Sequence, residues 1–186
     1  MSKKIKLLFI LPHNSKGGAQ KSVIDIIRNL DKDKFEIYAV CQKGMEAEYL
    51  SQLEKIAVID EFYLPLWYKH PHINFTLRMK ETLSNLLKSP TQFMAIFKIV
   101  RKINEWNIDA VYSNGAISLV GAVAAYLTKK PHLWHIREII GRQGTVDFLI
   151  GEKNAVNLIS KLSKVVIVNS QATRKPFDRY NKKNVQ

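Results

Sequence analysis

The chain holds one cysteine, Cys41, among 186 residues. A lone thiol excludes a disulfide framework and a cysteine-based zinc site, and it fits a reducing, cytoplasmic compartment. No apolar run reaches the roughly 20 residues that span a bilayer. The run Leu119 to Leu127 is too short and is alanine-rich. His13, His70, His72 and His132 share no metal-ligand spacing with acids or with Cys41. There is no G-x-G-x-x-G, no phosphate-loop lysine motif, no nucleophile elbow and no pair of carboxylates at a strand end. The site is therefore expected to hold no metal and no organic cofactor.

Acids are the scarce charge, with 16 against 29 basic residues and a net charge of +13. The excess is local. Phe62 to Asn104 carries seven basic residues and one acid, a net of +6, and Lys153 to Gln186 carries eight and one, a net of +7. The remainder is balanced. Two basic segments point to a polyanionic partner, a membrane surface or nucleic acid. Nucleic acid is disfavoured because Trp67, Tyr68 and Trp106 do not interleave with a basic strand face.

Apolar runs alternate with amphipathic stretches along the whole chain. Met1-Ser2-Lys3-Lys4 before Ile5 to Leu11 has the look of a signal peptide. Lys6 interrupts the run, Pro12 ends it, and no small-residue cleavage site follows, so a first strand is the better reading. Further strands are expected at Phe35 to Val40, Val58 to Tyr63, Ala110 to Ser113, His132 to Ile136 and Val165 to Val168. Helices are expected at Ala19 to Leu30, Glu46 to Lys55, Ser118 to Thr128, Asn154 to Ser163 and Gln171 to Tyr180. Leu64 to Phe75 reads as a loop. Thr76 to Asn104 reads as a helical region broken near Ser89-Pro90. Its apolar positions Phe93, Ile96, Phe97 and Val100 read as a core-facing stripe.

Strands alternating with helices imply right-handed crossovers. The expected fold is α/β, a Rossmann-like, doubly wound parallel sheet in the order 3-2-1-4-5-6 with helices on both faces. Residues 1–186 form a single domain in this reading. Ligands of such sheets sit beyond the carboxyl ends of the strands.

Three strand ends carry candidate chemistry. After the first strand, Gly17 and Gly18 let the backbone turn tightly and approach a ligand, and the next helix aims free N–H groups at the same spot. An ordinary strand-to-helix turn explains the pair equally well. After the fourth strand, Ser113 and Asn114 present polar side chains at the sheet edge; a plain turn is the simpler account. After the fifth strand lie His135, Arg137 and Glu138. His135 points to the face opposite Trp134 and Ile136. Histidine can hydrogen-bond a sugar hydroxyl or a phosphate oxygen, and arginine can pair with phosphate. The bland alternative is a strand-end histidine on a carbonyl beside an Arg–Glu surface pair. Glu46 and Glu54 have a spacing used by some glycosyltransferases, but they sit on an early helix, where it reads as coincidence.

In combination these segments carry a resemblance. Lys16-Gly17-Gly18-Ala19-Gln20-Lys21-Ser22-Val23, Val111-Tyr112-Ser113-Asn114-Gly115 leading into Leu119-Val120-Gly121-Ala122, Pro131 to Glu138, and Val166-Ile167-Val168-Asn169-Ser170 occur in family order. The chain resembles the N-terminal domain of family-four retaining glycosyltransferases of the GT-B fold, over nearly its whole length. Gln20 and Lys21 stand where that family often has glutamate and arginine.

The resemblance implies a sugar transfer from a nucleotide-sugar donor to a glycan or lipid-linked acceptor, with retained anomeric configuration and no required metal. It implies an acceptor-side half acting in cell-surface glycan synthesis; the two basic segments add the expectation of a cytoplasmic domain that can sit peripherally on an anionic membrane face. It places Gly17 and Gly18 toward the donor diphosphate and His135 beside the reacting sugar; Asn114, Arg137 and Glu138, at the same strand ends, are expected as substrate-binding neighbours. The family continues into a second, nucleotide-binding domain that this sequence lacks, so the chain by itself is expected to be inactive. Two other readings stand beside this one: the N-terminal half of a nucleotide-sugar epimerase of the same architecture, and a non-enzymatic basic binding module.

Overall fold

The computed structural model describes residues 3–13, 17–69, 89–181 and 184–186. Six strands form one parallel sheet: β1 (Ile5–Leu11), β2 (Phe35–Gln42), β3 (Val58–Phe62), β5 (Ala110–Asn114), β6 (His132–Ile136) and β8 (Val165–Val168). Their order is β3-β2-β1-β5-β6-β8, all pairs parallel, which is the expected topology. A separate antiparallel ribbon joins β4 (Tyr68–Lys69) to β7 (Asp147–Phe148). It was not visible in the sequence, because a two-residue pairing leaves no periodic signal.

The helices are α1 (Gly18–Asn29), α2 (Ala47–Glu54), α3 (Ser89–Glu105), α4 (Val120–Leu127), α5 (Glu152–Leu162) and α6 (Gln171–Tyr180). Strand alternation divides the core. Leu8, Ile10 and Val111 face α3 and α4; Trp134, Ile136 and Val166 face α5 and α6 on the same side. Phe9, Leu11, Ala39 and Tyr112 face α1 on the other. Each fully buried Leu, Ile or Phe contributes about 1.5–3 kcal/mol of transfer free energy, so the alternating pattern holds the three layers together.

Particular residues explain the local structure. Gly121 lets α4 lie directly on the sheet, since a Cβ there would come within 2.6 Å of Ser113 Oγ and 2.7 Å of Ile10. Ser170 starts α6: its hydroxyl accepts from Thr173 N at 3.2 Å while Thr173 Oγ1 accepts from Ser170 N at 3.1 Å, a reciprocal cap. Cys41 is fully buried in β2, and burial pushes its thiol up to about 12, so it is a packing residue and not a nucleophile.

Helix α3 begins at Ser89, with Pro90 at its second residue, where a missing N–H costs nothing; residues 76–88 of the expected helical region lie outside the described residues. One expectation needs correction here, because the apolar stripe divides. Ile96 and Val100 pack on the core, whereas Phe93 and Phe97 are 71% and 68% exposed, with Met94 beside them at 60%. A helix on an open sheet buries only the arc that touches the strands, and this helix carries apolar residues beyond that arc.

Candidate functional site at the carboxyl ends of β5 and β6

The pairing of Asn114 with His135 in adjacent strands fixes the site. Both project to the α1 face, as does Tyr112 two residues before Asn114. The chain reverses after Asn114 through Gly115, whose φ of +89 is left-handed, with Gly115 N donating to His135 O at 2.8 Å. Trp134 Nε1 donates to Gly115 O at 2.8 Å from the other face, so the turn is clamped from both sides.

His135 is 9% exposed. Its Nδ1 lies 2.5 Å from the Tyr112 hydroxyl and 3.5 Å from Arg137 Nη2. Burial, and then the Arg137 charge, lower its pKa to about 4, so the imidazole is neutral at pH 7. Burial raises the Tyr112 phenol to about 12, which keeps its proton. Arg137 only donates, so Nδ1 is the acceptor and the imidazole proton belongs on Nε2. His135 thus offers one N–H donor on a ring whose orientation is fixed at its other nitrogen.

Arg137 ties three elements together. Its Nε donates to Asn114 Oδ1 at 2.6 Å, and Nη2 donates to Ser22 Oγ on α1 at 3.0 Å. Among the described residues it makes no ion pair, so a half-buried positive charge stands here without a carboxylate partner. Glu138 does not pair with the Arg137 guanidinium, which corrects the Arg–Glu surface pair offered as the bland reading. Its Oε2 accepts from Ala116 N at 2.7 Å and from Arg137 N at 3.2 Å. Its Oε1 stands 3.7 Å from His13 Nε2, over Gly115. Burial lowers the His13 pKa, against a smaller opposing pull from Glu138.

The structure therefore brings Asn114, His135 and Arg137 into one hydrogen-bonded group and sets Glu138 behind it as a brace. Gly17 and Gly18 join them only through α1, which Gly17 caps and which carries Ser22. Neither glycine is left-handed; Gly17 is extended at φ −156, so the tight-turn reason given for the pair does not hold. A Cβ on Gly18 would meet nothing within 4 Å, so its smallness leaves open space at the start of α1. Residues 14–16 of the loop lie outside the described residues. Ser113 does not reach the edge either. It is buried on the opposite face, 2.9 Å from His132 Nε2.

Sequence reasoning missed Tyr112, Ser22 and His13. Tyr112 was findable, because it lies two residues before Asn114 on the same strand face. Ser22 and His13 had no such signal, since their partners are 115 and 125 residues away. Among the described residues no group of three His, Cys, Asp or Glu is placed to hold a metal.

Comparison with known proteins adds the class. Residues 16–185 match the model of Glycosyltransferase Family 4. The chain belongs to that family and is a glycosyltransferase-type domain. Its fold is shared with solved structures of low identity. Anabaena Alr3699/HepE, solved with UDP and glucose, is 22% identical with a TM-score of 0.64, over 98% of this chain and 43% of that one. A glycosyltransferase from Rickettsia africae ESF-5 is 14% identical with a TM-score of 0.67, over 100% and 42%. The UDP-GlcNAc 2-epimerase of Neisseria meningitidis bound to UDP-GlcNAc is 14% identical with a TM-score of 0.57, over 97% and 45%. The chain spans less than half the length of each. No curated protein sequence matches it. The fold is thus common to transferases and epimerases, and the family match is to a glycosyltransferase family.

Proposed function

We propose that this chain is the acceptor-side half of a nucleotide-sugar-dependent retaining glycosyltransferase that builds a cell-surface glycan, working against a second, nucleotide-binding domain. The observation that carries this is the neutral, buried His135, fixed at Nδ1 by Tyr112 and Arg137 at the strand edge where ligands of such sheets bind. Its Nε2–H donates to a hydroxyl of the donor sugar and orients the ring. The Arg137 charge, without a carboxylate partner among the described residues, favours the negative charge that builds on the leaving diphosphate. Open space at Gly18 and the N-terminus of α1 receive the diphosphate from this side.

The two solved neighbours described with UDP or a UDP-sugar support a nucleoside diphosphate sugar as donor. In an enzyme assembled with its second domain, His135→Ala is expected to lower kcat by about 100-fold or more, with the folded state intact. Near-wild-type turnover would overturn the role given to His135. Proton NMR of the product reads the anomeric outcome, and an inverted product would remove the retaining mechanism.

The chain by itself is expected to transfer no sugar, because one wall of a cleft cannot hold both reactants in line. Binding of uridine or guanosine diphosphate sugars is expected at about millimolar or weaker, equivalent to about 4 kcal/mol. Micromolar affinity by calorimetry would show that the chain carries its own donor pocket.

The acceptor is lipid-linked in this reading, and α3 docks on the cytoplasmic face of the membrane. Phe93, Met94 and Phe97 are exposed next to Arg101, and no helix of the described residues is long and apolar enough to cross a bilayer. Lys102 is engaged by Asp60 and Glu105, so it is not available to lipid. Each free basic residue at the surface contributes about 1 kcal/mol toward anionic lipid. Co-sedimentation with anionic vesicles is expected at low salt, fading as salt rises. Equal binding to neutral vesicles would defeat the electrostatic part.

A further inference from the structure

The segment that follows the site strand folds into something the site does not use. From Ile139 to Val146 the chain makes a tight loop closed by a parallel bridge between Ile140 and Val146. Val146 and Thr145 donate their N–H groups to Ile139 O at 3.2 and 2.8 Å, Gly141 N donates to Val146 O at 2.8 Å, and Thr145 Oγ1 accepts from Ile139 N at 3.0 Å. Gly141 has a φ of +123, and a Cβ there would come within 2.6 Å of the Glu152 carboxylate. A Cβ at Gly144 would collide with the Ile139 carbonyl. The turn is then pinned by the β4–β7 ribbon. This is a rigid wall with its hydrogen bonds made, so what it encloses is a preformed shape.

That wall, the start of α5 and one side of α6 enclose a cavity of about 950 Å³. The volume is at the upper end of small-molecule sites. Leu149, Ile150 and Tyr180 give it apolar surface, and Arg142, Lys153, Lys175 and Arg179 give it positive charge. Arg179 is bridged to Glu152 at 3.3 Å. Among the described residues Arg142, Lys153 and Lys175 make no ion pair. Three of these four cations belong to the segment Lys153 to Gln186, so part of the basic surplus of that segment gathers around one hollow. The cavity opens one residue beyond Glu138, on the α5–α6 side of the sheet, whereas His135 faces α1.

We propose that this cavity is the seat for the phosphate-bearing end of an amphiphilic acceptor. The cations take a phosphate or diphosphate group, and the aromatic and aliphatic floor takes the first carbons of the attached chain. The lining begins at Ile139, directly after Arg137 and Glu138 in the chain, so an acceptor seated here reaches His135 only around the carboxyl edge of the sheet. The inference rests on the glycosyltransferase reading for the word acceptor, but not for the binding event.

The test titrates the full chain with inorganic pyrophosphate and with farnesyl diphosphate, followed by amide NMR. Pyrophosphate is expected to shift Gly141, Gly144 and Gly151. Its affinity is expected to fall about 10-fold or more in the Lys153→Ala/Lys175→Ala double variant, as loss of charge-assisted contacts requires. Both substitutions are at exposed positions, and an unchanged melting curve confirms the fold. Farnesyl diphosphate is expected to bind more tightly than pyrophosphate. Equal binding to wild type and double variant, shifts confined to other residues, or equal affinity for the two probes would each overturn the proposal. His135→Ala is expected to leave both titrations unchanged. A His135→Ala enzyme with full turnover would sink the functional reading while leaving this site in place.

Discussion

His132 and His135 lie three residues apart on one strand, both buried, and the fold uses them in opposite ways. His132 sits at the amino end of β6, facing α5, with Nδ1 3.2 Å from Ser163 Oγ and Nε2 2.9 Å from Ser113 Oγ. Both nitrogens are satisfied, and the ring packs edge-on against Trp134 at 5.3 Å. His135 sits at the carboxyl end, on the other face, with partners on Nδ1 alone among the described residues. Two identical side chains differ because an odd spacing sends them to opposite faces, and because the two ends of a parallel strand face different surroundings. A buried histidine with both nitrogens occupied is a structural part; one held at Nδ1, with no partner on Nε2 among the described residues, keeps a donor in reserve.

The largest expected effect separates the two by stability. His132→Ala leaves two buried hydroxyls unpaired and a void beside Trp134, and it is expected to cost the 186-residue chain about 2–4 kcal/mol in urea unfolding. His135→Ala, at the carboxyl edge, is expected to cost about 1 kcal/mol or less while lowering turnover about 100-fold or more in a two-domain enzyme. Equal losses of stability would erase the distinction.

Next in size is the acid response. The folded-state pKa values, about 3 for His132 and about 4 for His135, lie below the ordinary 6.5 because burial disfavours the charged ring. The unfolded chain therefore takes up protons first as pH falls. Stability is full above pH 6.5, and it drains away as pH falls toward the folded values. Thermal melts from pH 7.5 to 4 are expected to show this fall, and His132→Gln is expected to flatten it. An unchanged slope in that variant would show that His132 is not the group being titrated.

The smallest effect concerns orientation. Tyr112→Phe removes the hydroxyl from Nδ1 and leaves Arg137 as its neighbour. Turnover is expected to fall about 5- to 10-fold, the worth of one hydrogen bond of about 1 kcal/mol, mostly in kcat with little change in KM. A loss in KM alone would assign Tyr112 to binding and not to positioning His135.

The layout of the main sheet was legible in the sequence, because buried parallel strands are apolar runs and their partner helices carry one apolar stripe. Ile5–Leu11, His132–Ile136 and Val165–Val168 match the structure end to end. The strand order expected was that of the Rossmann-like class to which the alternation of strand and helix assigned the chain. The site was legible in part. Asn114, His135 and Arg137 stood out because polar residues after apolar strands are conspicuous. Their mutual bonding was not readable, nor was the real job of Glu138, which braces the turn at Ala116.

What the sequence determined by itself was the alternation of strand and helix, the face to which each strand residue points, and the concentration of positive charge in two segments. These depend on local period and composition. Only the tertiary structure decided which distant groups meet: Ser22 on Arg137, His13 on Glu138, and the cations of α5 and α6 around the hollow behind Ile139. Such contacts join residues far apart in the chain through the packing of helices on a twisted sheet. No local pattern encodes that packing, because any polar residue at a strand end satisfies the same local rules whether or not a partner arrives.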